Sequence, residues 1–125
     1  MSASMELREI SAALRAVHQR GLTATQKSFE KLHGRVQSAG ELLQIALHDP
    51  LFAWLRPLSA LIATLDELAE EEAVSASDVE SARKTVGEFL ESDAEFRPTY
   101  LIYLQAEPEL VLAHADARRV LARQA

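Results

Sequence analysis

The chain predicts an all-α protein, an up-down four-helix bundle with a Pro-kinked central helix. Three observations carry this. Ala, Leu, Glu and Arg dominate the composition while Gly and Pro number four each, which favours helix almost throughout. Apolar residues recur at spacings of three and four over most of the length. Two Ser-led capping patterns divide the periodic segments into helices. At 125 residues the chain predicts one helical-bundle domain over 1–125, long enough to bury a core without metal or disulfide.

In order, Ser2 or Ser4 caps the first helix, with Glu6 and Glu9 in the opening turns where the dipole favours acids. Leu7, Ile10, Leu14 and Val17 form one buried stripe. At Gly21 the phase slips by one and the stripe resumes as Leu22, Thr25, Phe29, Leu32 and Val36. No Pro or loop cluster interrupts it, so the expectation is one helix over about residues 4–33, ended by His33-Gly34. Ser38-Ala39-Gly40-Glu41 fits a capping box and starts the next helix.

The most apolar stretch follows, LLQIALHDPLFAWLRPLSALIATLDEL over 42–68. Between Leu42 and Leu65, 16 of 24 positions are apolar, and a helix apolar on nearly all sides is normally enclosed on nearly all sides. Residues 42–68 are therefore expected to be the central helix. Pro50 and Pro57 lack the amides that would donate to Ala46 and Ala53, so each bends or ends it. Asp49-Pro50 also reads as an N-cap followed by Pro at the first helical position. Ser77-Asp78-Val79-Glu80 reads as a second capping box. The helix after it runs on Val79, Ala82, Val86 and Phe89 or Leu90, and an interruption at Glu91–Pro98 follows. The last helix carries Tyr100 to Leu104, passes Glu107-Pro108, and continues as Leu110, Val111, His114, Val120 and Leu121. Helices of roughly 30, 30, 18 and 25 residues joined by short turns make the four-helix bundle. A five- or six-helix array is the alternative if the Pro sites are true breaks. LQIALHDPLFAWL and LIYLQAEPELVLA share an acid-Pro pair between two apolar runs, a solution used twice.

The net charge is −6, which argues against general affinity for nucleic acid or anionic lipid. Residues 66–95 hold eleven acids against Arg83 and Lys84, leaving that stretch at −9 and the remainder at +3. No secretory signal is visible at MSASMELREISAALRA, and Asp49 and Arg56 interrupt the apolar centre short of a membrane span. A cytoplasmic protein is expected.

Chemistry-bearing patterns are sparse. Cys is absent, which removes thiolate ligands and nucleophiles. A di-iron bundle wants two Glu-x-x-His motifs; only Glu30-Lys31-Leu32-His33 is present. Ser59 has no glycine elbow, adjacent His48 and Asp49 diverge by about 100° on a helix, and no phosphate loop or dinucleotide fingerprint occurs. No enzyme activity, catalytic residue, cofactor or metal is expected. What stands out is a set of polar-tipped residues inside apolar stretches: His48, Asp49, Trp54, Arg56 and His114, with Tyr100 and Tyr103. Buried Trp and Tyr need partners for N–H and O–H, and Arg56 needs a carboxylate, such as Glu107 or Asp49, or water.

The run His48-Asp49-Pro50-x-Phe52-Ala53-Trp54-Leu55-Arg56-Pro57-Leu58-Ser59, with Leu61-Ile62, Asp66-Glu67 and the ending Leu104-Gln105-x-x-Pro108 and Ala113-His114, resembles a signature of small bacterial all-helical proteins without assigned function. The resemblance implies a bacterial cytoplasmic helical protein and supplies no catalytic residues. The function expected is protein–protein association, as a homodimer with a face centred on Trp54. The alternative is a small-molecule- or metal-binding bundle using His48, Asp49, Trp54, Arg56 and His114.

Overall fold

Local capping chemistry cuts the chain into six α-helices, seen in a computed structural model that describes residues 2–123. They are α1 (Ala3–His33), α2 (Ala39–His48), α3 (Arg56–Ala69), α4 (Ala76–Ser92), α5 (Arg97–Ala106) and α6 (Pro108–Ala122), with a 3₁₀ helix over Pro50–Leu55 between α2 and α3. Among the described residues no strand occurs. The six-helix alternative is therefore the one that fits, not the four-helix bundle.

The central helix is α1, not residues 42–68. It packs against α3, α4, α5, α6 and the 3₁₀ helix. Ser2 accepts from the Met5 amide at its start, and Gly34 closes it at φ 86°, a conformation side chains with a Cβ rarely adopt. The phase slip at Gly21 causes no break. Trp54 and Leu55 approach so closely that a Cβ at Gly21 would lie 3.0 Å from atoms of each. The buried stripe Leu7, Ile10, Leu14, Val17 thus runs on through Gly21, Ala24 and Thr25.

The stretch expected to be the central helix falls into three pieces. Asp49 ends α2 and its carboxylate accepts from the Leu51 amide at 2.9 Å, so Asp49-Pro50 acts as N-cap and first helical residue. Pro57 sits in the first turn of α3, where its missing amide costs nothing. Glu107-Pro108 splits the expected last helix in the same way, into α5 and α6. The interruption before α5 is shorter than expected. Asp93 accepts from the Glu95 and Phe96 amides, and Arg97 is already helical although Pro98 follows it in the first turn.

Two caps differ in detail from their expectation. Glu41 answers the Gln37 amide rather than that of Ser38. The box ahead of α4 is Ser75 with Asp78, reciprocally bonded at 3.1 and 2.9 Å, so α4 begins earlier than Ser77 as cap would allow. A shorter acid serves at the position usually given to Glu.

The core gathers Leu7, Ile10, Leu14, Val17, Phe52, Leu55, Leu58, Leu65, Val86, Leu90, Phe96, Tyr100 and Leu110, all at most 4% exposed. Arg83 of α4 pairs with Glu6 of α1 at 3.5 Å, both side chains nearly buried, and donates to the Val120 and Leu121 carbonyls at the end of α6. One guanidinium thus joins three helices. Among the described residues, no helix is long and apolar enough to cross a membrane.

Candidate functional site

The five candidate residues separate into two groups. Asp49 and Arg56 form a joint. Arg56 donates to the Asp49 carbonyl at 3.1 Å and the Ala46 carbonyl at 3.4 Å, satisfying the groups a helix C-terminus leaves free. Its partners are carbonyls, not a carboxylate of Glu107 or Asp49. His48 is exposed and its Nδ1 lies 2.9 Å from the Gln44 carbonyl of the same helix. A shallow surface depression borders Gln44, Ile45, His48, Asp49 and Pro50. The joint fixes how α2 leaves the 3₁₀ helix and holds Arg56 by neutral acceptors.

Trp54 belongs to the interior, and His114 is half-buried at its edge. Trp54 is 5% exposed, so it offers no surface for a dimer face to centre on. Its indole N–H donates to Thr25 Oγ1 at 3.1 Å, and Thr25 donates in turn to the Gly21 carbonyl at 2.8 Å. The ring stacks on Tyr103 at 5.4 Å and meets Tyr100 and Phe96 at 6.3 and 5.5 Å. His114 joins this cluster through Tyr100, whose hydroxyl lies 2.7 Å from His114 Nδ1. Burial pushes the Tyr100 phenol above its ordinary value, with Arg97 opposing. His114 is held below the ordinary imidazole value by burial first, then by Arg118 and Arg97, with Glu91 opposing. A neutral ring can accept the Tyr100 proton at Nδ1. Tyr103 is anchored by Ser28 Oγ at 3.0 Å. Thr25 and Ser28, which complete these bonds from α1, carry no one-dimensional signal linking them to Trp54 and Tyr103.

A second polar pair lies on the α1–α3 surface. His18 Nε2 is 2.8 Å from Ser59 Oγ, above a shallow depression bordered by Arg15, Gln19 and Ile62. Ser59 also donates to the Leu55 carbonyl at the end of the 3₁₀ helix, 3.3 Å away, and burial lowers the His18 pKa. Nucleophilic use of Ser59 needs a base held by a third group. Among the described residues no carboxylate bonds the ring, and the pair reads as a helix-to-helix tie. Nearby Asp66 accepts from Arg15 and from Ser11, the latter at 2.6 Å. Among the described residues, no three His, Cys, Asp or Glu side chains are grouped so as to hold a metal ion.

What the fold leaves open is apolar. On α5, Leu101 and Ile102 are 42% and 65% exposed; on α6, Val111 and Leu112 are 43% and 70% exposed. Each helix carries an outward stripe at i, i+3, i+4 and i+7, all exposed: Pro98, Leu101, Ile102, Gln105 and Pro108, Val111, Leu112, Ala115. Their opposite sides hold Tyr100 and Leu104, and Leu110 and Ala117, against the core. A shallow depression lies at the α5–α6 turn between Leu104 and Leu112. Leu32, Leu43 and Leu47 are also more than half exposed, and α2 buries no residue fully. The outward stripe is readable in the sequence as a second apolar period on helices that already have one. Compared with protein-family models, curated proteins and solved structures, the chain matches none.

Proposed function

We propose that this protein acts by protein–protein association, and that its partner is a second copy of itself docked through the outward face of α5 and α6. The observation that supports this is the two-sided apolarity of these helices. A helix apolar all round is normally enclosed all round, and here one side of each is covered by the core while Leu101, Ile102, Val111 and Leu112 stand in solvent. A contiguous apolar patch on a small domain commonly marks an interaction site. The polar joint at Asp49 and Arg56 and the Trp54–His114 cluster then serve as scaffold, holding the face rather than forming it.

Light scattering coupled to size exclusion at micromolar concentration tests this reading. A dimer is expected for the wild type, and a monomer with an unchanged circular-dichroism melt for Ile102→Glu and Leu112→Glu. A wild type that remains monomeric as concentration rises overturns the proposal.

A further inference from the structure

The charge along α6 distinguishes one end of the open face from the other. Its first turn carries Glu109 and its last turns Arg118 and Arg119. Arg119 stands eleven positions beyond Pro108, three turns on, and so continues the outward stripe Pro108, Val111, Leu112, Ala115. Two copies of this face aligned in parallel would set Arg119 against Arg119 and Glu109 against Glu109, and would align the helix dipoles. An antiparallel alignment sets acid against base at both ends and opposes the dipoles. A two-fold axis perpendicular to the helices generates this arrangement, with each copy presenting the same patch.

Resting on the self-association reading, we infer that two copies of α6 meet antiparallel across a two-fold axis passing between Leu112 and Ala115, with Glu109 of each copy facing Arg119 of the other. The register follows from the stripe. With the axis midway between Leu112 and Ala115, Pro108 is brought opposite Arg119, and Leu112 opposite Ala115. Ala115 is the smallest side chain on the stripe and leaves room for Leu112 of the second copy. The α5 helices flank this seam and add Leu101 and Ile102 to it. Within one copy Glu109 pairs with Arg20 at 3.0 Å and Arg119 with Asp116 at 2.8 Å, with all four side chains roughly half exposed or more. Such exposed pairs are worth little on their own, so exchanging them for pairs across the seam costs little.

Charge reversal tests the orientation. Glu109→Arg and Arg119→Glu are each expected to weaken dimerisation about tenfold, because each places like charges together twice, and the double variant Glu109→Arg/Arg119→Glu to restore it to within about twofold. Sedimentation equilibrium reads all three. The chain has no cysteine of its own, so Ala115→Cys supplies a second measurement. Oxidation is expected to link the dimer through position 115, beside the axis, and not through Glu109→Cys, at its far end. If the wild type dimerises but neither reversal weakens it and Ala115→Cys stays unlinked, the antiparallel seam is overturned while association stands. A wild type that never dimerises overturns both.

Discussion

Gly21 shows how a single missing Cβ sets the packing of the core. Glycine within a helix ordinarily costs about 1 kcal/mol relative to alanine, so Gly21→Ala would stabilise an exposed helix. Here the new methyl would lie 3.0 Å from Leu55 Cδ2 and 3.0 Å from the Trp54 ring. That ring cannot turn away freely, because it is bonded to Thr25 and stacked on Tyr103. Overpacking of this kind costs about 1–3 kcal/mol and outweighs the propensity gain. The variant is expected to be destabilised by about 1 kcal/mol net in urea unfolding followed by Trp54 fluorescence; a gain in stability would show that the ring gives way. Thr25→Val is the complementary case. It keeps the shape and removes the acceptor of the indole N–H, leaving a buried donor unpaired. A loss of about 1–3 kcal/mol is expected in the same assay.

At the scale of the element, α2 differs from the other helices. It has ten residues, buries none of them fully, and leans chiefly on the 3₁₀ helix. Isolated helices of this length are marginal in water, so α2 is expected to open locally far more often than α1, α3 or α4. Amide hydrogen exchange checks this. Arg56→Ala should accelerate exchange in α2 by removing the bonds to the Ala46 and Asp49 carbonyls, while changing global stability by no more than about 0.5 kcal/mol. Equal protection across α2 and α1 would contradict it. The limits of reading this chain from sequence lie at the same place. Some helix ends were legible because capping is local: Ser2, Gly34 and Asp49-Pro50 act on groups a few residues away, whereas the cap of α4 lies at Ser75 rather than Ser77 and the expected last helix runs through the break at Glu107-Pro108. Apolar density was not a guide to centrality, because Leu43 and Leu47 look identical in sequence to core leucines and are exposed. Trp54 and His114 were legible as polar-tipped residues needing partners. Their partners Thr25 and Tyr100, and the separation of both from His48, depend on which helices meet, which no local pattern encodes.

The whole molecule responds to acid through the histidines that join its helices. His18 and His114 are both held below the ordinary imidazole value, His18 by burial beside Ser59 and His114 by burial and the nearby Arg118 and Arg97. Well above pH 6.5 each is neutral in the folded and unfolded chain alike, so stability changes little with pH. As pH falls towards and below that value, the unfolded chain takes up protons that the folded chain refuses. Stability then falls with pH, by up to about 1.4 kcal/mol per unit for each histidine, and levels off once pH drops below the folded values. A second loss follows at lower pH. The Arg15 hydrogen bond, with that of Ser11, holds the half-exposed Asp66 carboxylate below its usual range, so its contribution is present above the ordinary carboxylate pKa and is lost as pH falls through the folded one. Protonating His114 also turns its Nδ1 into a donor and reverses the bond to Tyr100, whose phenol stays protonated throughout. Urea unfolding at pH 7.5, 6.5 and 5.5, run at one protein concentration so that any association is constant, is therefore expected to give a declining series for the wild type. The decline should be shallower for His18→Gln and for His114→Gln, each of which removes one of the two groups. A wild-type profile flat between pH 7.5 and 5.5 would mean that neither ring is shielded from protonation, and that both ties hold their helices equally well when charged.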